Sequence, residues 1–82
     1  MAENGSLGRA TRRALQTRQR LKEASLALFI ESGIENTAIE EITERADVGK
    51  GTFYRHFTNK EALATALAED AVGHLLERIS EA

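Results

Sequence analysis

The residues best suited to molecular recognition lie in one run near the middle of the chain, residues 48–57. Phe53 and Phe57 are four positions apart, so on a helix both can face a core. The polar side chains of the run fall on the remaining surface: Lys50, Thr52, Tyr54, Arg55 and His56. Lysine and arginine can pair with the O6/N7 edge of guanine, and a threonine methyl can contact thymine. The pattern predicts a helix that reads base edges in a DNA groove.

A second short helix is expected directly before this one. Ile39, Ile42 and Ala46 form an apolar stripe at helical spacing. The sequence from Thr37 to Glu40 is typical of a capping box, with Thr37 as the N-cap and Glu40 at N3. A turn at residues 47–49 would join the two helices, so the sequence predicts a helix-turn-helix.

The order and spacing of many positions resemble the DNA-binding domain of the tetracycline-repressor (TetR) family. The resemblance covers roughly residues 18–67. It depends on Gly33-Ile34-Glu35-Asn36-Thr37, Ile42, Ala46, Val48, the run Lys50-Gly51-Thr52-Phe53-Tyr54-Arg55-His56-Phe57, Lys60-Glu61 and Leu63. It implies an all-α fold: a three-helix DNA-binding domain plus a fourth helix that leads into a further C-terminal domain.

The resemblance also implies roles for individual residues. Positions that match Lys50, Thr52 and Arg55 face the groove, and those that match Tyr54 and His56 hold backbone phosphates. The position of Gly51 is small in the family, which indicates a close approach of the backbone to DNA. Family members bind operator DNA as dimers through a C-terminal domain that also binds a small-molecule inducer, so a ligand-responsive repressor is the expectation.

Lys60 and Thr37 are further candidates for phosphate contact. Lys60 falls in the first turn of the fourth helix, where a cation opposes the helix dipole, so a bound phosphate would explain it. Thr37 would have the same role at the second helix, its hydroxyl alternating between cap and phosphate.

Residues 1–10 are expected to be a disordered, basic-leaning arm, because they lack a periodic apolar pattern. Five arginines lie in or just after it: Arg9, Arg12, Arg13, Arg18 and Arg20. Contact with phosphates or the minor groove, as in homeodomain arms, is one interpretation, with Arg13 and Arg18 as the leading candidates. A solubilising tail is the other.

The helix-turn-helix domain is expected over residues 11–82. Its four helices are predicted at about 12–32, 38–46, 49–57 and 59–80. The apolar stripe of the last one runs from Leu63 to Ile79 without a closing Gly or Pro, which suggests a helix that leads onward.

The formal net charge of −2 is compatible with DNA binding because the charges are segregated. Residues 48–60 contain Lys50, Arg55 and Lys60 and no acid. The absence of cysteine excludes disulfides and cysteine-ligated zinc, and no cofactor or metal is expected. No apolar run approaches a membrane span, so a cytoplasmic protein is the default.

Three positions depart from the TetR pattern. Asp47 stands where the family has Gly, Gly49 where a Ser or Thr opens the recognition helix, and Thr43 where Ala is common. Asp tolerates the left-handed conformation better than most residues, so the turn is still predicted at Asp47.

Two other classes of function compete with DNA binding. A protein-interaction module could use the acidic residues Glu40, Glu41, Glu44, Glu69 and Asp70 as its contact face. An enzyme is the weakest interpretation, because His56 and His74 are far apart and no nucleophile–base pair stands out.

Overall fold

The computed structural model describes residues 2–81, with side chains over 8–79, and these residues form four helices. Helix α1 spans Ala2–Ser32, α2 Ile39–Ala46, α3 Lys50–His56 and α4 Lys60–Glu81. The all-α prediction is confirmed. Helices α2 and α3 are joined by a three-residue turn, and both pack with α1 and the start of α4 around one core.

The core is small and contains a contribution from every helix. Helix α1 provides Leu21, Ala24 and Leu28, at the i, i+3 and i+7 spacing seen in the sequence. Its other members are Ile42, Ala46, Phe53, Phe57 and Leu63, and Phe53, Leu21, Ile42 and Leu63 are fully buried. Because Phe53 and Phe57 are anchored here, α3 turns its polar residues outward.

Helix α1 begins at Ala2, about ten residues earlier than the periodicity predicted, and Met1 lies outside the described residues. Residues 9–16 are helical although all of them are exposed. Adding residues to an existing helix needs no new nucleation, and this stretch is rich in good helix formers. The apolar pattern therefore located the packed part of α1 and missed its solvent-exposed extension.

Gly33 ends α1 in the left-handed conformation, with φ +86°, which glycine adopts without steric cost. The capping box predicted over residues 37–40, at the start of α2, is wrong by one residue. The N-cap of α2 is Ala38, and Glu41, instead of Glu40, accepts a hydrogen bond from its backbone N–H at 2.9 Å. Alanine has no side-chain acceptor, so only the glutamate half of the box exists.

The turn between α2 and α3 depends on Asp47, which has φ +60° and ψ +49°. The N–H of Val48 donates to the Thr43 carbonyl at 3.0 Å, and the Asp47 N–H donates to the Glu44 carbonyl at 3.1 Å. These two bonds form a Schellman closure, which requires a left-handed residue at this point. The predicted left-handed Asp47 is confirmed.

Substitution at Asp47 is expected to separate backbone strain from charge. Asp47→Gly should leave the free energy of unfolding unchanged or slightly higher, whereas Asp47→Val should lower it by roughly 1–2 kcal/mol, because a β-branched residue resists positive φ. Asp47→Asn removes the charge but tolerates the conformation, and it controls for the loose Arg20–Asp47 ion pair of 3.8 Å. Urea unfolding followed by circular dichroism measures all three, and equal stability of the Val and Gly variants would contradict the strain argument.

Helix α4 begins with a side-chain cap. The Asn59 side-chain oxygen accepts a hydrogen bond from the Ala62 N–H at 2.7 Å, so Asn59 rather than Thr58 caps this helix. Further along, the Lys22 ammonium pairs with the Asp70 carboxylate at 2.5 Å and ties α4 to α1. Beyond that ion pair, residues 71–79 are all exposed.

None of the helices in residues 2–81 is long and apolar enough to cross a membrane.

Candidate nucleic-acid interface

The outer face of α3 is polar and accessible. Gly51, Tyr54 and Arg55 are exposed, and Thr52 and His56 are half-buried beside them. Among the described residues, and apart from the chain neighbours of Gly51 and the backbone of its own helix, no atom lies within 4 Å of the position that a Cβ would occupy here. The fold therefore gives no internal reason for a glycine at this position, which leaves the surface open to close approach from outside.

Tyr54 is positioned by the core residue beside it. Its ring meets the Phe53 ring edge-on, with centroids 5.2 Å apart and an interplanar angle of 82°. Phe53 is fully buried, while Tyr54 is 51% exposed. A rigid core aromatic thus supports a tyrosine whose hydroxyl can donate a hydrogen bond to a ligand on the surface.

A shallow concavity is lined by four predicted site residues, Thr37, Lys50, Tyr54 and Lys60. Lys50 and Tyr54 line it from α3, and Lys60 lines it from the start of α4. Residues 37–40, at the end of the α1–α2 loop and the start of α2, complete its lining together with Asn59 and Glu61. Arg55 and Thr52 lie outside this concavity, on other parts of the α3 surface.

Lys60 has an internal partner that its sequence position did not reveal. Its ammonium donates a hydrogen bond to the Thr37 carbonyl at 2.7 Å and a longer one to the Glu35 carbonyl at 3.4 Å. These carbonyls offset the unfavourable placement of a cation at the first residue of a helix. Lys60 therefore joins the start of α4 to the α1–α2 loop, and at most one of its three protons stays available for a phosphate.

The hydroxyl of Thr37 faces inward, against its predicted role as a cap. Thr37 is 1% exposed, and its hydroxyl donates to the Gly33 carbonyl at 2.8 Å. A hydroxyl that already satisfies a carbonyl in the interior holds the α1–α2 loop in place. The predicted alternation between cap and phosphate has no support in this geometry.

Two of the predicted arm arginines instead cap helix ends. The Arg18 guanidinium donates to the His56 carbonyl at 3.2 Å and lies 4.4 Å from the centroid of the Phe57 ring. Arg20 donates to the Ala46 carbonyl at 2.6 Å. Cations suit the negative ends of helices, so these residues stabilise the ends of α3 and α2. Arg13 lies in the exposed part of α1.

Lys50 pairs with an acidic residue of the preceding helix. The Lys50 ammonium lies 2.5 Å from a carboxylate oxygen of Glu40, on α2. The hydrogen bond from Lys50 lowers the pKa of the Glu40 carboxyl, and the same bond raises the pKa of the Lys50 ammonium. Both groups are therefore charged at neutral pH. Ten residues separate them, and no local pattern in the sequence signals the pairing.

The geometry of α2 and α3 is enough to define a class of protein. Two short helices meet through a three-residue turn, the second one is buried by its aromatic residues, and its outer face carries basic and polar side chains. This is a helix-turn-helix with the features of a DNA-reading helix.

A family model described as "Bacterial regulatory proteins, tetR family" matches residues 21–67. The chain therefore belongs to the TetR family, and it contains the family's helix-turn-helix DNA-binding domain. The matched segment runs from the packed part of α1 to the first turns of α4, so it includes every element that shapes the site. The resemblance inferred from the residue pattern is confirmed.

Curated relatives agree with this assignment. The chain is 43% identical over 58 residues to the A-factor receptor protein of Streptomyces griseus. This alignment covers 71% of the chain and 21% of that protein. It is 38% identical over 63 residues to the HTH-type transcriptional repressor DhaR of Mycobacterium sp. (strain GP1), with coverages of 77% and 32%. It is 40% identical over 57 residues to the HTH-type transcriptional regulator TcmR of Streptomyces glaucescens, with coverages of 70% and 25%.

The aligned part of the chain thus corresponds to between a fifth and a third of each of these relatives. No solved structure matches the chain at a significant level.

Proposed function

We propose that this domain binds duplex DNA by placing α3 in the major groove, with Lys50, Thr52 and Arg55 at base edges. The observation that carries the proposal is the outer face of α3, which is accessible and which contains no acidic residue of α3 itself. The family match of the chain supports the same conclusion. A helix fits the major groove, where each base pair has its own pattern of donors and acceptors. The open surface over Gly51 allows the backbone of α3 to approach the DNA closely.

Phosphate contacts would fix the register of α3 in the groove. Tyr54 is the best placed donor, since its ring is held by the core and half of it is exposed. His56, at the C-terminal end of α3, is a second candidate for phosphate contact. Lys60 could donate its remaining proton to a phosphate at the start of α4. Arg13, on the exposed extension of α1, adds a cation for the flanking backbone. Arg18 serves the interface indirectly, by holding the end of α3 in place.

The wider biology is inferred from the relatives. One of them is named a transcriptional repressor and another a receptor, so regulation of transcription by a ligand is the activity we infer for the intact regulator. We infer a homodimer on operator DNA, with the dimer contacts and the inducer site in a C-terminal domain. Such a protein would act in the cytoplasm, where its operator is.

The test measures duplex binding at several salt concentrations, because phosphate contacts by cations make affinity fall steeply with salt. Arg55→Ala should change the preference among sequences and cost about 1–3 kcal/mol at the base it reads. Tyr54→Phe removes one neutral hydrogen bond, so it should weaken all duplexes alike and leave the salt slope unchanged. Arg78→Ala, far along α4, is the matched control for Arg55→Ala and should behave as wild type.

Binding that is absent at low salt, or equally weakened by Arg55→Ala and Arg78→Ala, would refute the placement of α3. In the first case the acidic surface of α2 would become the better candidate for function, as a protein-docking face.

A further inference from the structure

We propose that Glu40 is a specificity-determining residue: it fixes the Lys50 ammonium, and the two side chains together read one G·C base pair. Lys50 would donate to the O6/N7 edge of guanine, while Glu40 would accept from the N4 amino group of the paired cytosine. This inference rests on the proposed function, since it requires α3 to lie in the major groove. It assigns a base-reading role to an acidic residue of α2, the helix that precedes the reading helix.

The geometry places both groups at the same surface point. The Lys50 ammonium and the Glu40 carboxylate are 2.5 Å apart, and both face the concavity between α2, α3 and α4. Their side chains are 53% and 66% exposed, so both remain accessible to a ligand. An exposed ion pair contributes little to folding stability, so stabilisation of the fold is a poor explanation for it.

The pair removes the main weakness of lysine as a base reader. Lysine is a compact charge on a flexible four-carbon stem, and it lacks the rigid fork by which arginine matches guanine. A carboxylate that holds the ammonium in one position restricts the stem before DNA arrives, which reduces the ordering cost at binding. Two of the three ammonium protons stay available after the bond to Glu40.

The chemistry of the pair is complementary to G·C more than to A·T. In the major groove, guanine presents two neighbouring acceptors, N7 and O6, and the N4 donor of cytosine lies next to them. An ammonium beside a carboxylate matches this order of two acceptors and one donor. In an A·T pair the N6 donor lies between two acceptors and the thymine methyl adds bulk, so the same pair of side chains fits less well.

The experiment selects binding sites from a randomised duplex pool with five forms of the whole 82-residue chain. These are wild type, Glu40→Gln, Lys50→Gln, the double variant of both, and the matched control Glu44→Gln, which removes the same charge one turn further along α2. Wild type and Glu44→Gln should share a G·C preference at one position. Glu40→Gln and Lys50→Gln should each lose about ten-fold of that preference, and the double variant should lose little more, because the pair acts as a unit.

Two modified bases test each half of the contact in the selected duplex. Replacing guanine with 7-deazaguanine removes the N7 acceptor and should weaken wild type more than Lys50→Gln. Replacing cytosine with N4-methylcytosine blocks the donor in the groove and should weaken wild type more than Glu40→Gln, because the neutral amide oxygen of glutamine is a weaker acceptor than a carboxylate. Circular dichroism of each variant confirms that it is folded.

The outcomes separate the two proposals. If no form of the chain retains duplex DNA, the proposed function and this inference both fail. If wild type selects a site and Glu40→Gln selects the same site with uniformly tighter binding, Glu40 acts only as a repulsive charge near the phosphates and this inference alone is overturned. A selected A·T pair at the position lost in Lys50→Gln would also overturn it.

Discussion

Replacing Phe53 with alanine is expected to destabilise the domain by about 3–5 kcal/mol, the usual range for removing a fully buried phenylalanine ring. Phe53 is 0% exposed and is one of only eight buried apolar residues of the described chain. A domain of this length has a total stability of about 4–12 kcal/mol, so this single substitution should remove from about a quarter of that stability to all of it. Urea unfolding monitored by circular dichroism gives the change.

Leu76→Ala is the matched control for this substitution. Leu76 is 58% exposed on α4, so truncating it should change the free energy of unfolding by less than about 0.5 kcal/mol. A Phe53→Ala variant as stable as Leu76→Ala would mean that α3 is not anchored by its aromatic face. The support for Tyr54, and with it the proposed reading surface, would then be wrong.

Joining two copies of this domain is expected to tighten binding to a palindromic site by about 10²–10⁴-fold. A single domain can engage one half-site only, so the isolated chain should bind weakly. A dimerising coiled coil fused after Ala82, with a linker that lets two domains reach half-sites about 34–36 Å apart, makes the second contact intramolecular. Gel shift or fluorescence anisotropy on duplexes with one or two half-sites measures the gain.

The control for the fused protein is the same fusion with charged residues at the core positions of the coiled coil, which keeps it monomeric. This control should bind one-half-site and two-half-site duplexes with similar affinity per site. A tight dimer of the unfused chain in sedimentation, with high affinity already present, would contradict the expectation. It would show that the 82 residues contain their own dimer interface.

The parts of the fold that depend on local chemistry were predictable from the sequence. The apolar spacing located the buried residues of α2 and α3, and Asp47 marked a left-handed helix end because few residues tolerate positive φ. In α4 the same spacing failed beyond the first turns, because only Leu63 of its apolar stripe is buried. The run from Lys50 to Phe57 identified the reading helix because its aromatic and basic residues separate cleanly on a helical wheel. In each case the signal spans only a few neighbouring residues.

The partners of long polar side chains were not predictable in the same way. Arg18 and Lys60 were candidates for DNA contact, and Arg20 belonged to a basic stretch interpreted either as a DNA-contacting arm or as a solubilising tail. Each of the three donates to a carbonyl at least 23 positions away in the chain. Such contacts depend on how whole helices are placed, and a flexible basic side chain is compatible with many partners. The ion pair of Glu40 with Lys50 was missed for the same reason.

The middle of α1 has a consequence for how the domain opens. Arg18 and Arg20 lie within one turn of α1, and their guanidinium groups hold the carbonyl ends of α3 and α2. A local fluctuation that frees this turn withdraws support from both helices at once. We therefore expect the two helices to be coupled through a third and to open together rather than one at a time.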